Sequence, residues 1–264
     1  MDKTYLNINR TLWDHKTPVH LDSEFYDHKS FLEGRSSLNE IELALLPELK
    51  GKKVLHLQCH FGQDTLSLAR MGAEVTGVDL SPKAIEVAQK TARDLELDAK
   101  FVCGDVFEID QLLDEQYDFV FTSYGVIGWL PELNTWGKVI EKVMKPNAQL
   151  LLVEFHPVIW MFDEQFEKVT YGYFDCGAII EETEGTYTDR DAELKDKSYS
   201  WNHSLEDVFQ GLSKAGLEIT NLREYDYSPY DCFNNTVKSE KGYQIKGVEG
   251  KLPMVYALEA RKKS

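Results

Sequence analysis

The chain has 264 residues, and its 29 Lys and Arg against 45 Asp and Glu give a formal net charge of −16 at pH 7. This charge repels phosphate backbones, and no basic patch offsets it locally, so we expect no nucleic-acid partner. No window approaches the roughly 18 apolar residues of a membrane span, and the first ten residues lack the apolar segment of a signal peptide. We therefore expect no membrane association and a cytoplasmic location.

The cysteines predict free thiols rather than disulfides or a metal site. None of Cys59, Cys103, Cys176 and Cys232 belongs to a C-x-x-C pair. A chain of this length does not need disulfides to stabilise its core. The histidines are scattered along the sequence, so no clustered Cys/His set predicts a bound metal.

The N-terminal residues 1–35 are rich in aromatic side chains and show no clear periodicity, which predicts an irregular arm. The segment Ser37–Glu40 then has the spacing of a capping box, in which a Ser hydroxyl and a Glu carboxylate satisfy each other's backbone amides. We predict a helix from this point to about Leu49, with Gly51 after it.

Strands and helices alternate over residues 53–155, which predicts βαβ units and a parallel sheet. The predicted strands are Lys53–Leu57, Glu74–Val78, Lys100–Cys103, Tyr117–Thr122 and Gln149–Phe155. The predicted helices are Gln63–Met71, a helix capped by Ser81 that runs to about Leu95, and Leu133–Met144.

The alternation stops after residue 156. The segment 157–200 has six aromatic side chains within residues 160–174, followed by a turn-like segment, which predicts inserted antiparallel strands. A helix restarts at Ser204, and Leu217–Tyr225 and Met254–Ala260 follow as strands with no helix between them, so we expect them to pair antiparallel. The predicted fold class is α/β, a doubly wound, mostly parallel seven-stranded sheet with an antiparallel last strand and a β-rich insert.

Ligands of such sheets bind at the carboxyl ends of the strands, which directs attention to the turn VLHLQCHFG over residues 54–62. Only Gly62 is glycine in this turn, and the side chains of Gln58 and His60 would crowd a pyrophosphate. A dinucleotide is therefore less expected here than a ligand with a smaller group at the turn, such as an amino-acid carboxylate.

Two acids follow the next strands. Asp79 ends the second strand and precedes the Ser-Pro helix start, where a carboxylate can accept both hydroxyls of a ribose. Its alternative role is a helix cap or a solvated loop acid. Asp105, in the segment GDV, can accept from an exocyclic adenine amine, and an ordinary loop acid is an equal alternative.

Together these motifs resemble the class I S-adenosylmethionine-dependent methyltransferases over residues 36–155, in particular a bacterial subgroup of small-molecule enzymes whose first motif reads HLQCHFG. His56 stands where the family has an acid, Gln58 and His60 where it has glycines, and Asn147 where a K-P-G turn has glycine. The resemblance implies a Rossmann-like fold, S-adenosylmethionine as cofactor and in-line methyl transfer to a small-molecule acceptor. The cofactor contacts that it implies are Gln58, His60, Gly62, Asp79, Leu80, Asp105, Val106 and Ser123.

The candidate catalytic residues lie after the fourth and fifth strands. His156 is a candidate general base because the pKa of histidine can lie near 7, although a His before Pro157 can simply bond a loop carbonyl. Tyr124 is a second candidate. The predicted substrate-pocket residues are Trp129 and Tyr26, with His203 and Tyr225–Cys232 as further candidates.

The resemblance divides the chain into an N-terminal arm or lid (1–36), a cofactor-binding half (37–156), an inserted substrate lid (157–203) and the remainder of the same domain (204–264). Two alternatives stay open. A non-catalytic module could bind the cofactor without turnover, and a nicotinamide-dependent oxidoreductase is less expected because the sequence has no Y-x-x-x-K pair. The acceptor, the methylated atom and the oligomeric state are not predicted.

Overall fold

The computed structural model describes residues 3–264 and contains a seven-stranded sheet with the order β3-β2-β1-β4-β5-β11-β8. The strands are β1 (Lys53–Leu57), β2 (Glu74–Asp79), β3 (Ala99–Cys103), β4 (Tyr117–Ser123), β5 (Met144–Phe155), β6 (Ile179–Glu184), β7 (Lys195–Ser200), β8 (Leu217–Tyr225), β9 (Thr236–Lys238), β10 (Tyr243–Ile245) and β11 (Val255–Lys262). Strands β1 to β5 pair in parallel, and β11 runs antiparallel to both β5 and β8. The predicted fold class and the antiparallel last strand are confirmed.

Helices cover both faces of this sheet. They are α1 (Thr4–Asp22), α2 (His28–Leu32), α3 (Glu40–Leu43), α4 (Gln63–Arg70), α5 (Pro82–Asp94), α6 (Ile109–Leu112), α7 (Leu133–Val143) and α8 (Leu205–Lys214). Side chains of β1 alternate between two cores, because successive residues of a strand point to opposite faces. Leu55 packs in one core with Trp136 of α7 and Leu212 of α8, whereas Val54 packs in the other with Leu68 of α4.

The local signals in the central block are confirmed in detail. The Ser81 side chain accepts a hydrogen bond from the Ala84 amide, and Pro82 occupies the first turn of α5. Ser204 likewise begins α8, in a capping box with Asp207. These caps satisfy backbone amides that have no partner within the helix, so the helices begin where the sequence predicts.

The N-terminal segment is helical, and the prediction of an irregular arm was wrong. Residues 1 and 2 of that predicted arm lie outside the described residues, and α1 begins at Thr4. Three of its five buried side chains, Asn9, Thr17 and His20, are polar. They interrupt the apolar period by which an amphipathic helix is recognised. Pro18 inside the helix further obscures the pattern.

The predicted Ser37–Glu40 capping box is also wrong. The Ser37 hydroxyl and backbone amide both contact Ser67 Oγ on α4, at 3.0 and 3.1 Å. The short helix α3 is preceded by Asn39 and ends at Leu43, well before the predicted end. The Ser37 hydroxyl, which the local pattern predicted to cap a helix, instead contacts Ser67 on another helix.

The insert after β5 contains the predicted antiparallel strands, because β6 and β7 pair over six residues each. The loop between β8 and β11 carries a second small hairpin, β9 and β10, which the sequence did not predict. Strand β5 begins at Met144, earlier than predicted, and includes Asn147 in a left-handed conformation (φ 64°). Across residues 3–264, no helix combines the length and the apolar character needed to cross a membrane.

Candidate functional site

A cavity of about 1010 Å³ lies at the carboxyl ends of β1 to β4, where this topology places ligands. Its wall contains residues from the turns after those strands, from α1 and from the β6–β7 insert. Most of the predicted site residues lie in this one wall: Gln58, His60, Gly62, Asp79, Leu80, Asp105, Val106, Ser123, Tyr124, Trp129 and Tyr26.

The turn after β1 keeps left-handed backbone conformations without the usual glycines. Gln58 (φ 52°), His60 (φ 49°) and Gly62 (φ 80°) all have positive φ. A Cβ atom at residue 62 would lie 2.7 Å from the Phe101 ring, so that position accepts only glycine. Each of the other two costs roughly 1–2 kcal/mol, a strain that proteins retain mainly at functional sites.

Asp79 is held as a hydrogen-bond acceptor beside this turn. The backbone amide of His60 donates to Asp79 Oδ2 at 2.7 Å, and that of Ser81 donates to Oδ1 at 2.9 Å. Burial raises the pKa of the Asp79 carboxyl to about 6, and the two amides act against this rise. The group is therefore mostly ionised at pH 7 and has a fixed orientation in the cavity wall.

Asp105 presents a free acceptor. Its Oδ1 accepts from the Phe107 amide at 3.0 Å and caps the turn that follows β3. Its Oδ2 is buried and has no hydrogen-bond partner among residues 3–264, although Lys3 Nζ lies 3.8 Å away. Because an unpaired buried oxygen costs free energy, a ligand N–H at this position would be favoured.

The amide of Gln58 leaves a second acceptor unpaired. Its Nε2 donates to the Val126 carbonyl at 2.7 Å, whereas its Oε1 is buried without a partner in the described part of the chain. Near it in the wall, the Ser123 hydroxyl donates to Asp64 Oδ2 at 3.1 Å. The region between β1 and β4 is thus lined by oxygen acceptors.

His56 occupies the usual acid position as a neutral ring. It is 2% exposed, its Nδ1 lies 2.8 Å from Thr65 Oγ1, and its Nε2 has no partner within residues 3–264. Burial lowers the pKa of His56 to about 4, so the imidazole carries no charge at pH 7.

The loop after β4 is positioned by Glu154, near the end of β5. This carboxylate is 2% exposed and accepts hydrogen bonds from the backbone amides of Gly125, Val126 and Ile127. The indole of Trp129 donates to the Gly125 carbonyl at 2.7 Å and closes the same loop. Glu154 therefore fixes the loop that carries Trp129 into the cavity wall.

Tyr124 is paired with a fully buried acid. Its hydroxyl donates to Glu42 Oε2 at 3.1 Å, and Asn39 Nδ2 donates to Glu42 Oε1 at 3.2 Å and to the Tyr230 hydroxyl at 2.7 Å. Burial, with a smaller contribution from the Asp64 charge, raises the pKa of Glu42 to about 7. Tyr124 also has a positive φ of 41°. Glu42 can therefore gain or lose a proton near neutral pH, whereas burial and the Glu42 charge hold the pKa of the Tyr124 hydroxyl well above its usual range.

The helix α1 and the insert complete the wall with aromatic rings. The Trp13 ring lies 5.3 Å from those of both Trp129 and His60. His60 Nε2 lies 3.0 Å from His20 Nδ1 on α1. The Tyr26 hydroxyl lies 2.6 Å from that of Tyr187, in the turn between β6 and β7.

Two predicted histidines lie outside this wall among the described residues. His156 is 3% exposed, its Nδ1 accepts from the Val158 amide at 3.2 Å, and its Nε2 lies 3.0 Å from Glu224 Oε1. His203 Nε2 lies 2.8 Å from the Leu130 carbonyl. Both rings thus serve local contacts, and neither faces the cavity. Of the candidate stretch Tyr225–Cys232, Tyr230 and Cys232 line the cavity.

The sequence analysis missed Glu42, Asp64 and Glu154. Glu154 had a visible signal, since it is an acid in the otherwise apolar end of a buried strand. Asp64 lies two residues after Gly62 and could have been suspected as a first-turn acid. Glu42 gave no signal, because it lies on a short helix whose burial depends on tertiary packing.

Comparisons with known proteins agree with this geometry. Residues 54–147 match a family model described as a methyltransferase domain. The chain is 28% identical to an uncharacterized methyltransferase, YbaJ, of Bacillus subtilis, over 67% of this chain and 70% of that protein. It is 24% identical to a ubiquinone biosynthesis O-methyltransferase of Bordetella avium, over 82% of this chain and 86% of that protein. An S-adenosylmethionine dependent methyltransferase from Mesorhizobium loti has the same fold, with a TM-score of 0.57, 18% identity and coverage of 88% of this chain and 100% of that one.

Proposed function

We propose that this protein is an S-adenosylmethionine-dependent methyltransferase that acts on a small molecule enclosed in the cavity. The observation that carries the proposal is the set of hydrogen-bond acceptors that line the cavity after β1, β2 and β3. Their order along the sheet matches the amino-acid end, the ribose and the adenine of this cofactor. The methyltransferase-domain match over residues 54–147 supports the same reading.

The residues present fit the cofactor. Asp79, ionised and oriented by two backbone amides, would accept the ribose hydroxyls. Asp105 Oδ2, which lacks a partner in the described chain, would accept the adenine amine. The side chains of Leu80 and Val106 lie in the same wall and would pack on the adenine ring. The other proposed contacts are Gln58, His60, Gly62 and Ser123.

S-adenosylmethionine supplies an electrophilic methyl group on a sulfonium, which an acceptor displaces in line. The chain therefore contributes mainly orientation and the exclusion of water. We assign the lid to residues 1–36 and 157–203, since α1 packs against β7 through paired hydrogen bonds between Asn9 and the backbone of Tyr199. Trp129 and Tyr26 would line the acceptor's part of the cavity.

Proton removal is assigned to Tyr124 and Glu42 rather than to His156. An acceptor hydroxyl that is methylated loses its proton, which the Tyr124 oxygen can take while Tyr124 passes its own proton to the Glu42 carboxylate. Glu42 is then neutral, and no charge is left unpaired in the protein interior. His156 has no such path, because its ring contacts Val158 and Glu224.

The size of the cavity argues against a binding module without turnover. About 1010 Å³ is at the upper end of the range of roughly 300–1,000 Å³ typical of ligand pockets, which leaves room for an acceptor beside the cofactor. A nicotinamide dinucleotide is disfavoured because the Gln58 and His60 side chains occupy positions that a pyrophosphate needs empty.

The test is calorimetric titration with S-adenosylmethionine, S-adenosylhomocysteine and NADH, on the wild type and on Asp79→Ala. We expect micromolar binding of both sulfur ligands, its loss in the variant and no binding of NADH. The matched control is Asp163→Ala, another acid of the cavity wall, on the insert side. Tight NADH binding, or no binding of either sulfur ligand, would overturn the proposal.

A further inference from the structure

The acid that the resembled family has at the end of the first strand is His56 here, yet a carboxylate faces the same part of the cavity. Asp64, in the first turn of α4, lines the wall together with His56. Its negative charge acts on the His56 ring and opposes the effect of burial on the pKa of that ring. His56 Nδ1 also lies 2.8 Å from the hydroxyl of Thr65, the residue after Asp64, so the two residues belong to the same part of the wall although they come from different elements.

Two neutral acceptors accompany this carboxylate. Gln58 Oε1 and His56 Nε2 are buried and without partners in the part of the chain that the structure describes, and both residues line the cavity. With its proton on Nδ1, shared with Thr65 Oγ1, the neutral His56 ring presents Nε2 as an acceptor. One negative and two neutral acceptors complement a ligand group that has a positive charge and three N–H donors.

Building on the proposed function, we propose that Asp64 replaces the missing strand-end acid and binds the α-ammonium group of S-adenosylmethionine, together with Gln58 Oε1 and His56 Nε2. The hydrogen bond from Ser123 keeps the Asp64 carboxylate in place without neutralising its charge. A first-turn acid is also compatible with its helix, since the N-terminus of α4 favours negative charge. The departures at residues 56 and 58 then form a rearranged site rather than a lost one.

The test separates the ammonium from the rest of the ligand. The probes are S-adenosylhomocysteine, its desamino analogue and 5′-methylthioadenosine, which lacks the whole amino-acid end. Binding is measured by calorimetry on the wild type, on Asp64→Asn and on Glu184→Gln. The last is the matched control, because Glu184 is a cavity-wall acid on the opposite, insert side. Asp64→Asn keeps the size of the side chain and its contact with Ser123.

We expect Asp64→Asn to weaken S-adenosylhomocysteine binding roughly 10- to 100-fold, as for the loss of a charge-assisted hydrogen bond. The affinity for the desamino analogue and for methylthioadenosine should stay within about twofold. Glu184→Gln should change none of the three. Adding His56→Asp to Asp64→Asn should recover part of the lost affinity, because it restores the acid at the strand end.

The outcomes distinguish this inference from the proposed function. If the wild type binds none of the probes, the proposed function fails. If the wild type binds S-adenosylhomocysteine and Asp64→Asn binds it equally well, only the role of Asp64 is refuted. Equal losses for all three probes would also refute it, because they would indicate a general disturbance of the site. Thermal unfolding of each variant monitors the integrity of the fold.

Discussion

Glu42 tests how burial changes the pKa of a carboxyl group that contacts no cation among residues 3–264. Burial raises its pKa from 4.5 to about 7 in the folded protein. The titratable groups that interact with it are Asp64 and the tyrosines 124, 225, 227 and 230, none of which carries positive charge, and Asn39 donates a hydrogen bond to it. Because the folded pKa is the higher one, the folded state holds the proton more tightly than the unfolded state. The associated stability is complete below pH 4.5 and is lost as the pH rises through 7.

The magnitude follows from the two pKa values. Each pH unit between them corresponds to about 1.4 kcal/mol, so ionisation of Glu42 should cost about 3 kcal/mol of unfolding free energy by about pH 8. The substitution Glu42→Gln keeps the shape of the side chain and removes the titration. We expect the difference in unfolding free energy, variant minus wild type, to rise by about 3 kcal/mol between about pH 4.5 and about pH 8.

Urea unfolding followed by tryptophan fluorescence at several pH values in this range would measure the difference. All other titrating groups are common to both proteins, so their contributions cancel. Glu86→Gln on α5 is the control for the loss of one carboxyl group at an exposed position. A pH-independent difference for Glu42→Gln would refute the raised pKa of Glu42, and with it the proposal that Glu42 accepts a proton through Tyr124.

Three further predictions test other parts of the molecule. The affinity for S-adenosylhomocysteine should fall about tenfold between about pH 7.5 and pH 5, because Asp79, whose pKa is about 6, becomes protonated. Calorimetric titration at several pH values measures this change, and an affinity that does not change with pH would contradict the proposed role of Asp79. Gly137→Ala should lower the unfolding free energy by about 3 kcal/mol in the same urea titrations, because the added Cβ would lie 2.2 Å from the Gly211 carbonyl oxygen. Gly128→Ala is the control and should change the unfolding free energy by less than about 1 kcal/mol, because its Cβ would lie 3.6 Å from the nearest atom. Ser204→Ala should cost about 1 kcal/mol and lower the melting temperature, since this side chain caps α8; an unchanged melting temperature would show the cap to be dispensable.

The central sheet was predictable because its signals are local. Strand β1 and strand β8 have the predicted bounds, and the Ser81-Pro82 start of α5 needs only the first turn of its own helix. Such caps and apolar periods act within a few residues, so one sequence is enough to read them. The predicted βαβ alternation then leaves few ways to order the strands.

The N-terminal segment was not predictable for the opposite reason. The buried face of α1 is polar because it meets polar partners: Asn9 binds the backbone of Tyr199, and His20 lies against His60. These partners are far away in sequence, so the sequence of α1 alone does not show which of its polar side chains are buried. The failed cap at Ser37 has the same cause, since its partner Ser67 lies on α4.

In the candidate site too, residues with a local sequence signal were predictable and residues that depend on tertiary contacts were not. Asp79, which ends β2, and Asp105, which follows β3, could be placed at the strand ends from their local context, and both line the cavity. Glu42, which acts through tertiary contacts, could not, and Asp64 had only the weak signal of an acid in the first turn of α4. His156 looked suitable because it follows a strand end, yet its ring contacts Glu224 of β8. Position along the chain does not determine which way a side chain turns.

The unusual first motif and the N-terminal helix depend on each other. A glycine at position 60 would relieve the strain of a positive φ, but it would also remove the ring that contacts His20 and Trp13 on α1. The cost of roughly 1–2 kcal/mol is thus offset by packing between the turn after β1 and α1. The backbone amide of His60 meanwhile still donates to Asp79. Because His60 contacts both His20 and Asp79, it links the docking of α1 to the orientation of Asp79, the residue of the proposed ribose site.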